Sequence, residues 1–238
     1  SFLKFFTFLL TSLSFKVSSN NNNEKISFNH GVASGDPTNT NVIIWTRITK
    51  VSNTSIKVNW EISNDINFRK IIHSGTSKTS AHKDFTVKVD AKISKEYKGT
   101  PIFYRFICNN YFSPTGSTIT LPADNPDLFN IAFCSCSNYP AGYFNAYKEI
   151  AKNKEVDLVL HLGDYIYEYD KNGYASENSN ELDRVSIPSN ELISLEDYRL
   201  RHAQYKTDKN LQLLHKNKPM IVVWDDHEFT NNTWKNGA

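Results

Sequence analysis

The sequence predicts two parts, an all-β sandwich followed by an α/β unit built on a parallel sheet. In residues 26–121, short runs of Val, Ile, Trp, Tyr and Phe are separated by clusters of Asn, Gly, Ser and Pro, which is typical of an all-β domain. After a proline- and acid-rich connector at residues 122–127, apolar strands alternate with stretches of helical periodicity. We therefore assign residues 26–123 to a β-sandwich domain and residues 124–238 to an α/β unit.

Four strands are clearest in the sandwich, and the second and third of them alternate strictly between apolar and polar residues. They cover residues 42–48, 56–62, 85–89 and 102–107. Short alternating strands of this kind predict an immunoglobulin- or fibronectin-like sandwich. His73 and His82 are isolated and are expected to face solvent, and Cys108 is expected to be a small buried residue. This part therefore offers no cluster of metal-binding or nucleophilic residues.

The α/β unit is predicted from three apolar runs and the helical stretches between them. Strands are expected at residues 128–133, 156–162 and 220–224, and a helix at residues 143–154. Residues 173–190 form a polar insertion that we expect to be a surface loop near the site. Ser194 and Asp197 have the spacing of a capping box, which predicts one or two helices before the third strand.

Composition excludes several classes of protein. The chain has 238 residues, a net charge of +2 and 39% hydrophobic residues, enough for one large or two modest cores. The balanced charge leaves no basic block that could neutralise a nucleic-acid backbone. Three cysteines are too few for a disulfide-dense scaffold. No segment is predicted to span a membrane, and we expect a monomer.

The first residues predict export. Residues 2–15 are apolar apart from Lys4 and small hydroxyl residues, and a polar run follows at residues 18–25. This resembles the apolar region of a secretory signal whose first residues are missing, so residues 1–25 are assigned to a signal-like segment and linker. An amphipathic or disordered terminal segment would look similar. We expect a secreted or periplasmic protein.

The second strand of the α/β unit ends in residues that can bind a metal. Gly163 ends the apolar run, Asp164 follows it, and Tyr167 comes three residues later. Ligands bind at the carboxyl ends of strands in open α/β sheets. A carboxylate can bridge two metals, whereas a Tyr oxygen suits a strongly Lewis-acidic ion such as ferric iron. The alternative is a packed tyrosine beside an aspartate that caps a helix.

The other two strands also end in ligand-type residues, which favours the metal site over packing. Cys134 and Cys136 follow the first strand, and Asp226, His227 and Asn231 follow the third. Such a set could clamp phosphate oxygens and lower the pKa of a bound water, the chemistry of phosphoester hydrolysis. His227 would hydrogen-bond a phosphate oxygen or the leaving group; the alternative is a structural loop histidine.

Several ordered motifs resemble the PhoD-like (alkaline phosphatase D) family. They are FNHGVASGDP at 28–37 with VIIWTR at 42–47, SCSNY at 135–139 with GYF at 142–144, HLGDYIYEY at 161–169, and WDDHE at 224–228 with Asn231 and Asn232. The resemblance implies an exported phosphomonoesterase and phosphodiesterase acting on small phosphate esters. It also implies a small N-terminal β-sandwich, the first half of an α/β/β/α metallophosphatase core, and a site that holds Fe³⁺ and Ca²⁺.

The resemblance also implies roles for individual residues. Cys136 would be the thiolate on iron, Asp164 the carboxylate that bridges iron and calcium, and Tyr167 the phenolate on iron. Asn231, or with less support Asn232, would reach calcium. Two residues near the metals or the phosphate are the expected catalytic pair: Asp226 and His227. The expected reaction is in-line attack by a metal-bound hydroxide. Spacing alone leaves zinc or manganese open.

The chain also departs from the family pattern. Family members carry about as much chain again after the Asp-His-Glu motif, including further metal ligands, so we expect the 238 residues to be part of a longer protein and nearly inactive alone. Two other functions stay open. One is a secreted, non-catalytic binding module built on the sandwich, and the other is a related metallohydrolase specific for nucleotides or lipid head groups.

Overall fold

The computed structural model describes residues 25–122 and 126–237, in which the two predicted parts can be followed strand by strand. The signal-like segment lies outside the described residues, Lys25 apart. Within these two ranges, no helix is long and apolar enough to cross a bilayer. Single-turn 3₁₀ helices cover Ala81–Lys83, Lys95–Tyr97 and Tyr139–Ala141.

The first part consists of two antiparallel sheets. Its strands are β1 (Val32–Gly35), β2 (Asn41–Arg47), β3 (Ile56–Ser63), β4 (Ile71–Thr79), β5 (Thr86–Lys92), β6 (Pro101–Cys108), β7 (Tyr111–Phe112) and β8 (Gly116–Ile119). One sheet has the order β1-β2-β5; the other has the order β4-β3-β6-β7, with β8 paired to β6. All of these pairings are antiparallel.

Along several strands, side chains alternate between buried and more exposed positions, and the buried ones of both sheets form one core. Val42 and Ile44 of β2 point into it, and so do Val58 of β3 and Phe106 of β6. The four predicted strands are all present, with bounds that differ by at most three residues. Cys108 is buried as predicted. The likeness to immunoglobulin or fibronectin domains stays a prediction.

Strand β4 was not predicted, because most of its side chains are polar and partly or fully exposed. It pairs with β3 over its whole length, so backbone hydrogen bonds rather than apolar alternation define it. The prediction that His73, on this strand, faces solvent as an isolated residue was wrong. Its Nδ1 lies 2.7 Å from the carbonyl oxygen of Lys92, and its ring packs edge-on against Trp60 with centroids 5.0 Å apart.

The second part is a three-stranded parallel sheet with helices. Its elements are β9 (Ile131–Cys134), α1 (Asn145–Lys152), β10 (Leu158–His161), α2 (Leu195–Tyr205), α3 (Lys209–Asn217) and β11 (Met220–Val222). The strand order is β11-β10-β9, and both pairings are parallel, as the sequence predicted. Each strand is shorter than its apolar run. The start predicted at residue 128 was wrong by three residues.

The predicted capping box is present at the start of α2. Ser194 Oγ accepts a hydrogen bond from the backbone N–H of Asp197 at 3.2 Å, and the Asp197 carboxylate accepts one from the backbone N–H of Ser194 at 2.9 Å. Asp208 caps α3 in a similar way, since its Oδ1 accepts from the N–H groups of Asn210 and Leu211. Two helices therefore precede the third strand.

The insertion at residues 173–190 contains no helix or strand, but it is not a simple surface loop. Arg184 is 4% exposed, and its Nη1 lies 2.7 Å from Asp208 Oδ2. Its Nε donates to the carbonyl oxygen of Tyr139 at 2.6 Å. The carbonyl oxygen of Tyr174 accepts from Asn138 Nδ2 at 2.8 Å, which holds the insertion beside the segment after β9. The insertion is therefore anchored to the core by buried polar bonds.

Helices α2 and α3 also contact the sandwich. Arg199 Nη2 donates to the carbonyl oxygen of His82, and Gln212 Nε2 donates to that of Asn29, both at 2.8 Å. Lys206 Nζ lies 4.8 Å from the ring centre of Trp45. These contacts place one end of α2 against strand β2, and a cavity lies between them.

Candidate metal centre

The segments that follow β10 and β11 approach each other closely at Gly163. This glycine has a φ of 104°, and a Cβ added to it would lie 2.4 Å from the Cβ of Asp225. A side chain at this position would therefore collide with the segment after β11. The predicted break in the strand is also the point where the two ligand-bearing segments meet.

Asp164 is the centre of the cluster. It is buried, and its Oδ2 accepts a hydrogen bond from Tyr167 Oη at 3.1 Å and lies 3.5 Å from Cys136 Sγ. The backbone N–H groups of Cys136 and Ser137 donate to the carbonyl oxygens of Gly163 and Asp164. Cys136 and Asp164 have φ values of 60° and 53°, a left-handed conformation that is rare for residues with side chains.

A third strand end adds an imidazole and a second carboxylate. Asp164, Asp226 and His227 each offer a ligand atom, and these atoms lie within 4.8 Å of one another. The other oxygen of Asp164, Oδ1, is buried and has no hydrogen-bond partner. Buried carboxylate oxygens are normally paired. The unpaired oxygen therefore marks the place where a cation fits.

Glu168 holds His227 and the following turn in place, and sequence reasoning gave it no role. Its carboxylate is 1% exposed. Oε2 lies 2.8 Å from His227 Nδ1, and Oε1 accepts from the backbone N–H of Asn231 at 2.6 Å. A carboxylate at Nδ1 favours the tautomer with the proton on that nitrogen, which leaves Nε2 as the free nitrogen. The signal was an acidic residue in the otherwise aromatic and aliphatic run YIYEY, since Glu is rarely buried without partners.

Glu228 is the second carboxylate that sequence reasoning left without a role. It accepts hydrogen bonds from the backbone N–H groups of Asp164 at 3.1 Å, of Tyr165, and of Asp225 at 2.7 Å. It therefore ties the segment after β10 to the segment after β11. The three N–H groups belong to two segments far apart in the sequence, so their need for a common acceptor is visible only once the fold is known.

Electrostatics keep the phenol of Tyr167 neutral in this cluster. Burial raises the pKa of Tyr167 well above its ordinary range, and the neighbouring carboxylate of Asp164 raises it further. The Tyr167 ring packs on His227 with centroids 4.2 Å apart. Ionisation of this phenol would need a strongly Lewis-acidic cation beside it. The donor set of carboxylates, imidazole, phenol and thiol fits such a cation.

The structure brings together most of the residues that the sequence singled out. Five of them meet around one carboxylate: Cys136, Asp164, Tyr167, Asp226 and His227. Asn231 is exposed and is tied to the cluster through its backbone N–H. All three cysteines are free, and Cys134 is partly buried against the core.

The fold and the cluster together define an α/β protein whose parallel sheet carries a candidate metal centre at its carboxyl edge. Two family models match this chain. The model "PhoD-like phosphatase, N-terminal domain" matches residues 14–122, and the model "PhoD-like phosphatase" matches residues 131–238. The chain belongs to the PhoD-like phosphatase family, as its motifs indicated.

Two relatives give the scale of the similarity. The chain is 41% identical over 227 residues to "Alkaline phosphatase D" of Bacillus subtilis (strain 168), covering 92% of this chain and 38% of the relative. A solved structure titled "Structure of PhoD" superimposes with a TM-score of 0.79 and 42% identity, covering 86% of this chain and 40% of that one. The chain thus spans about two fifths of the length of these relatives.

Proposed function

We propose that this chain carries part of the active site of an exported, metal-dependent phosphoesterase that acts on small phosphate esters. The observation that supports it best is Asp164, a buried carboxylate that contacts Cys136 and Tyr167 through one oxygen and has no partner on the other. Family membership supports the reaction class. Because the chain is shorter than its relatives, the activity is proposed for the whole protein.

Some residues of the site would bind the cation, and others would orient the groups that contact the substrate. Asp164 and Asp226 would hold the cation with Cys136 and Tyr167, and Asn231 lies at the rim. A bound cation supplies the positive charge that holds phosphate oxygens and offsets the charge that develops on them. His227, oriented by Glu168, would present Nε2 to a phosphate oxygen or to the leaving group.

We further propose ferric iron and calcium as the metals. The thiol of Cys136 and the phenol of Tyr167 would favour a strongly Lewis-acidic ion such as ferric iron, whereas carboxylate and amide oxygens would favour calcium. Metal analysis with a visible spectrum tests this directly. A tyrosinate-to-iron absorption band that is lost in Tyr167→Phe supports iron, and zinc or manganese in a colourless protein contradicts it.

Export and oligomeric state are proposals that rest on the sequence. The apolar segment at residues 2–15 supports secretion or a periplasmic location, and a monomer is expected. Fractionation of cells that express the protein from its own reading frame tests the first, and retention of the protein in the cytoplasm contradicts it. Light scattering tests the second.

Replacing the central carboxylate tests the proposed site. In the metal-loaded full-length protein, Asp164→Ala should lower the rate of phosphate-ester hydrolysis about 10³-fold or more and reduce the bound metal, because several kcal/mol of charge stabilisation depend on the cation. Asp127→Ala is the matched control, since Asp127 is an exposed carboxylate outside the cluster. Unchanged turnover and metal content in Asp164→Ala would contradict the assignment. The low activity expected for the 238 residues alone stays a prediction that the same assay tests.

A further inference from the structure

A cavity of about 660 Å³ lies between the sandwich and helix α2, and the proposed reaction does not use it. Strand β2 and the segment after the 3₁₀ helix Ala81–Lys83 form one wall, and α2 forms another. The segment after β11 closes a third side. This volume is in the range of cavities that bind small organic molecules.

The walls of the cavity are largely aromatic. Trp45, Tyr198, Trp224 and Phe229 line it together with Leu195. Trp224 and Leu195 are 69% and 67% exposed, and the Trp224 and Phe229 rings pack edge-to-face with centroids 5.0 Å apart. Large apolar side chains that border a concave site and remain open to water favour a ligand with an apolar body.

The charged groups around the cavity leave an excess of positive charge. Four cationic side chains and two carboxylates line it, and both carboxylates are already engaged. Asp84 forms a two-pronged pair with Arg47 at 2.9 and 2.7 Å, and Glu228 accepts backbone N–H groups of the metal-centre segments. Burial lowers the pKa of His202 to about 4, so this neighbour is neutral near pH 7.

Lys206 is the cation that an incoming anion would meet. Its Nζ donates to Tyr165 Oη at 2.9 Å, lies 3.5 Å from His215 Nε2 and sits over the Trp45 ring. Among the ion pairs of the described residues, none joins Lys206 to a carboxylate. Burial lowers the pKa of Lys206 to about 8, as expected for an ammonium group without a counter-ion.

We propose that this cavity is a binding site for an amphipathic anion, with its carboxylate or sulfonate beside Lys206 and its apolar body against Trp45, Trp224 and Phe229. The anion would supply the counter-ion that Lys206 lacks, and the rings would cover the apolar body. The inference rests on the cavity alone and does not depend on the proposed phosphoesterase activity.

Two ligands of the same shape test the site. The protein is titrated by calorimetry at pH 7 with 2-naphthoate and with neutral 2-naphthamide, in the wild type and in Lys206→Met, Trp224→Ala and Lys148→Met. We expect 2-naphthoate to bind at least tenfold more tightly than 2-naphthamide. Lys206→Met should abolish that preference, and Trp224→Ala should weaken both ligands. Lys148→Met, at an exposed position on α1, should change neither.

Several results would overturn the proposal. They are equal affinities for the two ligands, no saturable binding of 2-naphthoate, or binding that both Lys206→Met and Trp224→Ala leave unchanged. Inorganic phosphate that binds the site as tightly as 2-naphthoate would show a site that binds charge alone, which also contradicts it. If Lys206→Met does not fold, Trp224→Ala still tests the proposal, because the Trp224 side chain is largely exposed and its removal should leave the fold intact.

Discussion

The sandwich and the α/β unit have cores made of different side chains. The core of the sandwich is mainly aliphatic, as in Val42, Ile44 and Ile62, which are all fully buried. The core of the α/β unit contains four buried tyrosines, and histidines and two arginines, Arg184 and Arg201, are buried around them. The tyrosines are Tyr139, Tyr147, Tyr165 and Tyr205.

The polar groups of the second core bind the segments that carry the metal ligands. Tyr205 Oη accepts from the backbone N–H groups of Tyr139 and Tyr167, at 3.0 and 3.3 Å. His161 Nε2 lies 2.9 Å from both Ser137 Oγ and Tyr147 Oη. Stability and site geometry therefore depend on the same groups in the α/β unit, whereas in the sandwich they are separate.

The largest expected effect on stability comes from removing the buried ion pair of the second core. Asp208→Ala should lower the free energy of unfolding by about 3–5 kcal/mol, because Arg184 would remain buried without its partner. Urea unfolding followed by circular dichroism measures this change. Asp208→Asn keeps the helix cap but removes the charge, so it separates the two contributions.

The matched control for this pair is on the surface of the sandwich. Asp65 pairs with Arg69 at 2.7 Å in solvent, and Asp65→Ala should change stability far less than Asp208→Ala. Equal effects of the two substitutions would contradict the distinction between the two cores.

Acid should destabilise the protein through buried histidines such as His161. Burial lowers the pKa of His161 from 6.5 to about 4, and the charge of Lys206 adds to this. The neutral imidazole is favoured in the folded protein, so the unfolded chain takes up the proton first as the pH falls. The free energy of unfolding should therefore fall between pH 6.5 and 4, on the order of 3 kcal/mol for this group.

Unfolding measured across this pH range tests the expectation. His161→Gln should reduce the pH dependence, and His82→Gln, at an exposed position in the sandwich, should leave it unchanged. A wild-type protein whose stability does not change from pH 6.5 to 4 would contradict the role of the buried imidazoles.

The smallest expected effect lies in the sandwich core. Ile44→Val removes one buried methylene and should cost about 0.5–1.5 kcal/mol. Metal content of the loaded protein should stay at the wild-type level, because no ligand-bearing segment depends on this side chain. Metal loss in Ile44→Val, in protein that remains folded at the assay temperature, would show that the two cores are not separate.

Local patterns predicted the strands and the ligand types, and long-range contacts decided the rest. The apolar run that ends at Gly163 and Asp164 is visible in the sequence, and so is the alternation of β3. Glu168 meets His227 across 59 positions and Glu228 meets Tyr165 across 63, and no local periodicity encodes such pairs. The cavity beside Lys206 likewise depends on how α2 packs against the sandwich.

The left-handed backbone at Cys136 and Asp164 costs stability, a cost that the proposed metal centre would require. A residue with a Cβ in this conformation costs about 1–2 kcal/mol, and glycine would remove that cost. Glycine would also remove the thiol or the carboxylate. Selection for stability would therefore favour glycine at both positions, whereas the proposed metal centre would favour the thiol and the carboxylate.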